Sequence, residues 1–245
     1  MDLFIDVGNT KIKWCLSSNE DVEKTGSIFN TELNDLFIKA DKIENVFVSS
    51  VNSETLEQQI IEKIKPLCTH ISFAKVNKQF LNTDYSNELG VDRWLGVLAL
   101  TERRIKKNAI IIDAGTALTI DLLMTDNNLY LHKGGLILPG FHLFNQSLTQ
   151  NSSAIRLKNK DMTMDINNSD MALLHGFLMS VSGAVEKFIM HHHLDLNEMD
   201  IFLTGGDANI IFDSLQDELQ QKYHRIDNAV IEGLKIYRKL ALANK

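Results

Sequence analysis

The segments DVGNT, which begins at Asp6, and DAGT, which begins at Asp113, are near copies of each other. Each segment lies between two apolar runs that have the length and composition of β-strands. These runs are residues 3–5 and 12–16 around the first segment and residues 110–112 and 118–122 around the second. The sequence therefore predicts two β-hairpins, each with an aspartate, a glycine and a threonine at its tip.

The residue types at the two tips are suited to phosphate and a metal ion. Backbone N–H groups at a Gly-Thr turn, together with the hydroxyl, can bind phosphate oxygens. The aspartate would repel phosphate unless a cation lay between them, and Mg²⁺ is the simplest such cation. A single tip of this kind is more often an ordinary tight turn. Two tips in the same order, 107 residues apart (113 minus 6), instead predict a duplicated domain with a nucleotide in the cleft between its halves.

Composition and motifs exclude several other classes of protein. The chain has 245 residues, of which 44% are hydrophobic and 23% charged, as in a globular protein of one or two domains. Its formal charge of −7 argues against broad nucleic-acid or anionic-membrane binding. It has no GxxxxGK(S/T) and no GxGxxG after its first strand, so neither a P-loop nor a dinucleotide fold is expected. Two isolated cysteines, no secretory leader and no apolar run near the ~20 residues of a membrane span predict a cytoplasmic protein.

Apolar periodicity predicts alternating strands and helices, the pattern of an α/β protein. Beyond the hairpins, the predicted strands are 46–48, 71–76, 129–131 and 201–203, and the predicted helices are 53–64, a helix from 91 that ends in the basic run 103–107, and 170–191. The polar segment 77–88 is a predicted substrate loop or lid. Pro139, within GGLILPG, predicts a bend, and 162–170 is a predicted loop. Small residues along the helix at 170–191 indicate close packing against another helix.

Two further motifs could take part in binding or catalysis. TGGDA at Thr204 follows a predicted strand, at the edge where α/β sheets bind ligands, so Gly205 and Gly206 would let a nucleotide approach the backbone. The segment GVDR at Gly90 begins a helix, where Asp92 could simply stabilise the helix N-terminus. Alternatively, Asp92 could be a general base for an acceptor hydroxyl, with Arg93 binding a carboxylate or phosphate. The histidines at 191–193 are more typical of a solvated helix end than of a metal site. Consecutive helical side chains point about 100° apart, so these imidazoles could not converge on one ion.

Taken together, the motifs resemble those of the type III pantothenate kinases, of the acetate kinase, sugar kinase, heat-shock and actin superfamily. The matching segments are DVGNT at Asp6, GVDRW at Gly90, DAGTALTID at Asp113, GGLILPG at Gly134 and TGGDA at Thr204. They extend over nearly the whole chain, and as a set they are specific. The resemblance implies an α/β fold of two similar ribonuclease H-like domains, an actin-like ATPase duplication with a nucleotide cleft, at residues 1–108 and 109–245.

The resemblance also implies a reaction and its participants. The expected reaction is ATP-dependent phosphorylation of pantothenate to 4′-phosphopantothenate, the first step of coenzyme A biosynthesis. Mg²⁺ and a monovalent cation, K⁺ or NH₄⁺, are the expected cofactors. The expected assembly is a homodimer, with no nucleic-acid or membrane partner.

Particular residues of this sequence acquire roles from the resemblance. Asp92 is the expected catalytic proton acceptor, Asp113 the ligand of the monovalent cation, and Asp6 the residue that holds Mg²⁺ through water. ATP is expected to contact the first tip (Asp6, Val7, Gly8, Asn9, Thr10, Lys11, Ile12 and Lys13), Thr116 of the second tip, and Gly205 and Gly206 by the argument above. Pantothenate is expected to contact Tyr85, Gly90, Val91, Asp92, Arg93 and Ser169, where Ser169 stands in place of a threonine.

One departure from the family pattern concerns Tyr85. Relatives have a tyrosine seven positions before the glycine of the Gly-x-Asp-Arg segment, with a proline near it. Here Tyr85 is five positions before Gly90, and the proline is missing. The pantothenate-facing loop is therefore expected to be two residues shorter than in the relatives.

Two other functions compete with the kinase. One is a nucleotide-binding transcriptional accessory or regulatory protein on the same scaffold, without kinase activity. The other is a kinase of the superfamily that acts on a different small molecule. Retention of Asp6, Asp92, Arg93 and Asp113 favours the enzyme over a binding protein, and the short chain leaves little room for the insertions of sugar kinases.

Overall fold

A computed structural model gives the structure of the protein and describes residues 1–18, 21–35, 43–86, 88–103, 105, 108–126, 129–150 and 166–243. The strands are β1 (Asp2–Val7), β2 (Lys11–Ser18), β3 (Asp21–Phe29), β4 (Ile43–Ser50), β5 (Cys68–Phe73), β6 (Asn82–Thr83), β7 (Asn108–Ala114), β8 (Ala117–Asp126), β9 (Leu129–Pro139), β10 (Met199–Thr204) and β11 (Tyr223–Arg225). The helices are α1 (Glu54–Ile64), α2 (Val91–Leu98), α3 (Phe141–Thr149), α4 (Ser169–His191), α5 (Ala208–Ser214), α6 (Asp217–Gln220) and α7 (Ala229–Ala243). Both predicted hairpins are confirmed, as β1–β2 and β7–β8.

The chain forms two compact units. The first comprises Met1–Arg104, Tyr130–His132 and Asn228–Lys245, and the second comprises Ile105–Leu129 and Lys133–Asp227. The predicted ranges 1–108 and 109–245 differ from this grouping mainly in the placement of α7. Helix α7 groups with the first unit because it packs against α2, β1 and β4.

The first unit is built on a five-stranded sheet in the order β3-β2-β1-β4-β5. Strand β1 pairs antiparallel with β2 and parallel with β4, so it is the central strand. Because side chains alternate along a strand, Leu3, Ile5 and Val7 join one apolar core with Ile60 and Ile64 of α1. The opposite set includes Asp6, at the carboxyl end of the strand.

The second unit repeats this arrangement around β7. Strand β7 pairs antiparallel with β8 and parallel with β10, in a sheet ordered β11-β10-β7-β8-β9. Asp6 of β1 lies opposite Lys13 and Ser49, and Asp113 of β7 lies opposite Thr119 and Thr204. Strand β6, which is not part of the order given above, pairs with Leu131 and His132 of β9. Both of these residues group with the first unit, as β6 does. Each aspartate is thus at the end of a strand with a return strand on one side and a later parallel strand on the other, which is the duplication that the two tips predicted.

Helix α4 supplies much of the core of the second unit. Its buried side includes Leu174, Phe177, Val181 and Val185, which pack against β7, β8 and β10 side chains. Among the described helices, α4 alone has the length and apolar composition that could cross a membrane, but half of that stretch is buried inside the protein, as in a core helix. The close packing expected at its glycines is not found within the described chain, since a Cβ added at Gly176 or Gly183 would meet nothing within 4 Å.

Most of the other predicted elements are confirmed, with shifted ends. Helix α2 ends at Leu98, before the basic run, of which 104, 106 and 107 lie outside the described residues. Residues 162–165 of the predicted loop at 162–170 also lie outside them. Strand β9 continues to Pro139, and the bend there leads directly into α3 with Gly140 as its N-cap.

Candidate active site

The first tip is a tight turn between β1 and β2. The Gly8 N–H donates to the Lys11 carbonyl at 3.1 Å and closes the turn. Asn9, Thr10 and Lys11 are exposed there, while Val7 and Ile12 are fully buried in the core. Any contact of Val7 or Ile12 with a nucleotide is therefore limited to their backbone atoms.

Two asparagines from other elements fix the orientation of the peptides in this tip. The Asn30 side-chain amide donates to the carbonyls of Gly8 (2.9 Å) and Asn9 (3.0 Å), and the Asn52 amide donates to the Gly8 carbonyl (3.1 Å). The C=O and N–H of a trans peptide point in opposite directions. Holding these carbonyls on one side therefore directs the N–H groups of Asn9 and Thr10 to the other side, as a phosphate-binding turn requires.

The carboxylate of Asp6 is buried at the end of β1 and fits a site for a hydrated Mg²⁺. Opposite it on β4, the Ser49 hydroxyl is fully buried and has no hydrogen-bond partner among the described residues. Mg²⁺ usually keeps several waters and takes only one or two protein carboxylates beside substrate phosphates. No group of three or more His, Cys, Asp or Glu side chains that could hold a metal occurs in the described part of the chain, so a Mg²⁺ here would depend on Asp6, water and phosphate.

Glycines pack the second tip against two neighbouring segments. The Gly115 N–H donates to the Ala117 carbonyl, and the Gly140 N–H donates to the Thr116 carbonyl, each at 3.1 Å. A Cβ added at Gly140 would lie 2.1 Å from the Gly115 carbonyl oxygen, and one added at Gly205 would lie 2.4 Å from that of Ala114. The glycines of GGLILPG and TGGDA therefore let backbone approach the tip more closely than any side chain would allow.

The predicted ligand residues of the second unit are distributed around this tip. Asp113 is the partly buried, second-last residue of β7, and its cross-strand neighbours on the same face are Thr119 and Thr204. Gly206 has open space around its Cα. Ser169 is the exposed first residue of α4, directly after the Asn168 side chain that accepts the Met171 N–H and begins the helix.

The start of α2 positions Asp92 and Arg93 in the first unit. The Asp92 Oδ1 accepts the Arg93 N–H at 2.8 Å, and a Cβ added at Gly90 would lie 2.6 Å from this oxygen. A glycine at 90 thus lets the carboxylate fold over the helix N-terminus, where the partial positive charge of the helix stabilises an anion. Both Asp92 and Arg93 are half-buried, so the carboxylate is held in place without being sealed from a substrate.

The predicted pantothenate residue Tyr85 contacts Arg93 directly. The Arg93 Nη1 donates to the Tyr85 hydroxyl at 3.3 Å, and the Arg93 guanidinium carbon lies 5.1 Å from the centroid of the Tyr85 ring. This distance is within the range of a cation–π interaction. The structure therefore brings together Tyr85, Gly90, Asp92 and Arg93, even though the loop is shorter than the family pattern.

Two other features lie apart from these residues. The histidines at 191–193 form the exposed end of α4, where burial and then the neighbouring charges of His191, Lys133 and His193 lower the pKa of His192 below its ordinary value of 6.5. A cavity of about 330 Å³ in the first unit opens near the start of β1, beside Asp2 and Ser17, and contains none of the predicted site residues.

The duplicated sheet with paired Asp-Gly-Thr tips defines an α/β protein of the actin-like ATPase kind. Solved structures agree on the fold. A protein from Campylobacter jejuni described as a Baf family transcriptional activator has a TM-score of 0.62 at 20% identity, covering 98% of this chain and 99% of its own. The activator of the 2-hydroxyisocaproyl-CoA dehydratase from Clostridium difficile has a TM-score of 0.53 at 12% identity, covering 99% and 96%.

Sequence comparison identifies the family. The profile described as type III pantothenate kinase matches residues 2–191. A type III pantothenate kinase of Acinetobacter baumannii (strain ACICU) is 31% identical over 96% of each chain, and one of Pseudoalteromonas translucida is 32% identical over 98% of this chain and 97% of its own. The chain belongs to the type III pantothenate kinase family, a family of phosphotransferases that act in coenzyme A biosynthesis.

The structure also reveals residues that the motifs did not indicate. Asn30 and Asn52 hold the first tip, and Ser49 lies opposite Asp6. Asn30 follows β3, and Ser49 and Asn52 lie at and just after the carboxyl end of β4. The one sequence signal for them is a polar residue at the end of a predicted strand. No local pattern, however, distinguishes these residues from ordinary turn residues.

Proposed function

We propose that the chain transfers the terminal phosphoryl group of ATP to the primary hydroxyl of pantothenate, with Asp92 as the proton acceptor. The observation that carries this assignment is the carboxylate of Asp92, which accepts the backbone N–H of Arg93 at the N-terminus of α2. Phosphoryl transfer needs positioning, charge neutralisation and one carboxylate near the acceptor hydroxyl. The start of α2 offers both the carboxylate and a cation.

ATP is assigned to the two tips. At the first tip, the N–H groups of Asn9 and Thr10 would bind phosphate oxygens of ATP. Exposed Lys11 and half-buried Lys13 would add positive charge. Thr116, Gly205 and Gly206 are proposed as further contacts of ATP. Asp6 would hold Mg²⁺ through water, and the ion would neutralise charge on the phosphates.

Pantothenate carries a carboxylate at one end and the accepting hydroxyl at the other. Arg93 would bind the carboxylate, Gly90 and Val91 would supply backbone contacts, and Tyr85 would line the pocket. Ser169 would add a hydroxyl in place of the threonine of the relatives. An arginine is suited to this role because its planar fork matches a carboxylate.

Asp113 is assigned to a monovalent cation, K⁺ or NH₄⁺. Its carboxylate shares one face of the sheet with the hydroxyl-bearing Thr119 and Thr204. A large monovalent cation is held by several oxygen dipoles rather than by a cage of charges, and this set of oxygens fits that requirement.

A homodimer would use the exposed face of α4. One side of the helix carries residues at spacings of three, four and seven: Ala172, Gly176, Met179, Gly183 and Met190. The side chains of Met179 and Met190 are 64% and 61% exposed, and both glycines have open space above them. A second copy would cover this apolar face. We place the dimer in the cytoplasm.

A coupled assay of ATP consumption tests this function. The purified chain, with Mg²⁺ and K⁺, is expected to consume ATP with pantothenate and not with glucose or glycerol, and the activity is expected to fall when Na⁺ replaces K⁺. ATP consumption with a sugar but not with pantothenate would assign the site to another kinase. Binding of ATP without turnover on any acceptor would favour the accessory protein.

A further inference from the structure

A buried threonine and histidine meet behind the proposed pantothenate residues. Thr83 of β6 lies opposite His132 of β9, and the Thr83 Oγ1 and His132 Nδ1 are 2.9 Å apart. Thr83 is 3% exposed and His132 is 0% exposed. Buried polar groups are normally hydrogen bonded, and this pair satisfies that requirement between two strands that are 49 positions apart in sequence.

Tyr85 is held by both members of this pair. Its backbone N–H donates to the Thr83 Oγ1 at 3.0 Å. Its ring stacks on the His132 imidazole, with centroids 6.2 Å apart and planes 9° from parallel. The preceding residue is fixed as well, because the Asp84 N–H donates to the His132 carbonyl at 3.0 Å. Both the backbone and the ring of Tyr85 are therefore oriented from the same buried pair.

The other side of Tyr85 faces Arg93. The Tyr85 hydroxyl accepts from the Arg93 Nη1, and the guanidinium carbon lies over the same ring, 5.1 Å from its centroid. A change in the plane of the Tyr85 ring would therefore move both contacts of the guanidinium together. Tyr85 thus contacts the buried pair on one side and Arg93 on the other, and it links the pair to the guanidinium.

We propose that Thr83 and His132 are positioning residues that set the orientation of Arg93 through Tyr85 and thereby the selectivity of the site for a substrate with a carboxylate. The inference rests on the proposed function, in which Arg93 binds the carboxylate of pantothenate. Residues 77–90, which lead into α2, contain no proline. The parallel pairing of β6 with β9 and the Thr83–His132 contact fix Tyr85 there.

Steady-state kinetics with two acceptors tests the proposal. The acceptors are pantothenate and pantothenyl alcohol, its uncharged analogue. In Thr83→Val, which keeps the shape and removes the hydroxyl, the preference for pantothenate is expected to fall about tenfold through the pantothenate KM, because small misplacements of a binding group are costly. The ATP KM is expected to stay unchanged. In His132→Phe, which keeps a ring under Tyr85, the preference for pantothenate is expected to fall less. Thr83→Ser, which keeps the hydroxyl, is expected to have the wild-type preference.

Thr101→Val is the matched control, because it removes a hydroxyl that donates to the Leu98 carbonyl at 2.8 Å, beyond the other end of α2. It is expected to keep the full preference. Tyr85→Phe leaves the buried pair intact and is a second test if Thr83→Val does not fold. Its preference for pantothenate is also expected to fall. Full preference in Thr83→Val or in Tyr85→Phe would overturn the proposal. A wild-type chain that phosphorylates neither acceptor would instead refute the proposed function.

Discussion

Asp92 illustrates how one residue could serve either a helix or a reaction. Its Oδ1 accepts the Arg93 N–H at 2.8 Å, and an asparagine at the same place could accept that bond with its own carbonyl. Asp92→Asn is therefore expected to keep the thermal stability of the chain and to reduce kcat by ~10²-fold or more, because only the carboxylate can take a proton. Turnover and the melting temperature are measured on the same preparation. Near-normal kcat would mean that Asp92 serves the helix alone.

His192 is expected to make the stability of the chain depend on pH. Its lowered pKa means that the folded chain holds the proton less tightly than the unfolded chain, so acid favours unfolding. The free energy of unfolding is expected to be lower at pH 5.5 than at pH 7.5, and the difference is expected to shrink in His192→Asn. Urea titrations of both proteins at the two pH values measure it. An equal or larger difference in His192→Asn would contradict the assigned cause.

At the scale of residues, motifs could indicate Asp6, Asp92, Arg93 and Asp113 as candidate site residues because each stands in a short local pattern. The residues that hold them could not be found in this way. Asn30 and Asn52 reach the Gly8 carbonyl across 22 and 44 positions of sequence, and His132 reaches Thr83 across 49. Contacts at such separations depend on strand order, which a single sequence does not reveal.

The turn after β10 packs closely against the second tip. Gly205 has a φ of +94°, and a Cβ there would lie 2.4 Å from the Ala114 carbonyl oxygen. Gly205→Ala is expected to lower the free energy of unfolding by about 1–3 kcal/mol or more, because both the backbone strain and the close approach oppose a side chain. Gly206→Ala is the neighbouring control, since a Cβ there meets nothing within 4 Å. Equal stability of the two variants in urea would contradict this account.

Apolar residues at regular spacing predict the longer helices and strands, whereas the shortest elements have no such pattern. Both hairpins, α1 and α4 follow from apolar spacing, which depends on local sequence. Strand β6 has only two residues, Asn82 and Thr83, and lies in a segment that was predicted as a polar loop. Its pairing with β9 decides its structure, and neither residue has an apolar pattern that could indicate it.

The whole molecule is expected to associate through α4. Met179→Lys would place a charge on the exposed apolar face and is expected to convert a dimer into monomers, because burying an unpaired charge at an interface is unfavourable. Leu129→Lys, at a residue that is 73% exposed outside α4, is the matched control and is expected to leave the dimer intact. Sedimentation equilibrium measures both. A wild-type chain that sediments as a monomer would remove this interface.

The fold class could be predicted from the repeated tips because a duplicated hairpin indicates a duplicated domain. The grouping of α7 with the first unit could not, because it depends on packing between the ends of the chain. A Cβ at Gly233 would lie 2.1 Å from the Leu95 carbonyl oxygen, and Leu95 and Gly233 are 138 residues apart (233 minus 95). Neither residue has a local signal for this approach.

The late position of α7 has a consequence for synthesis on the ribosome. Helix α7 follows every other described element, yet it covers α2, and the Tyr237 ring contacts the rings of Phe80 and Trp94. Until α7 has emerged, the nascent first unit therefore exposes the apolar side of α2 that α7 covers in the finished fold. Contacts of such long sequence separation form slowly. A chain cut short before Ala229 would carry both tips but would lack the helix that packs on α2, so catalytic competence would arise only when translation had passed α7.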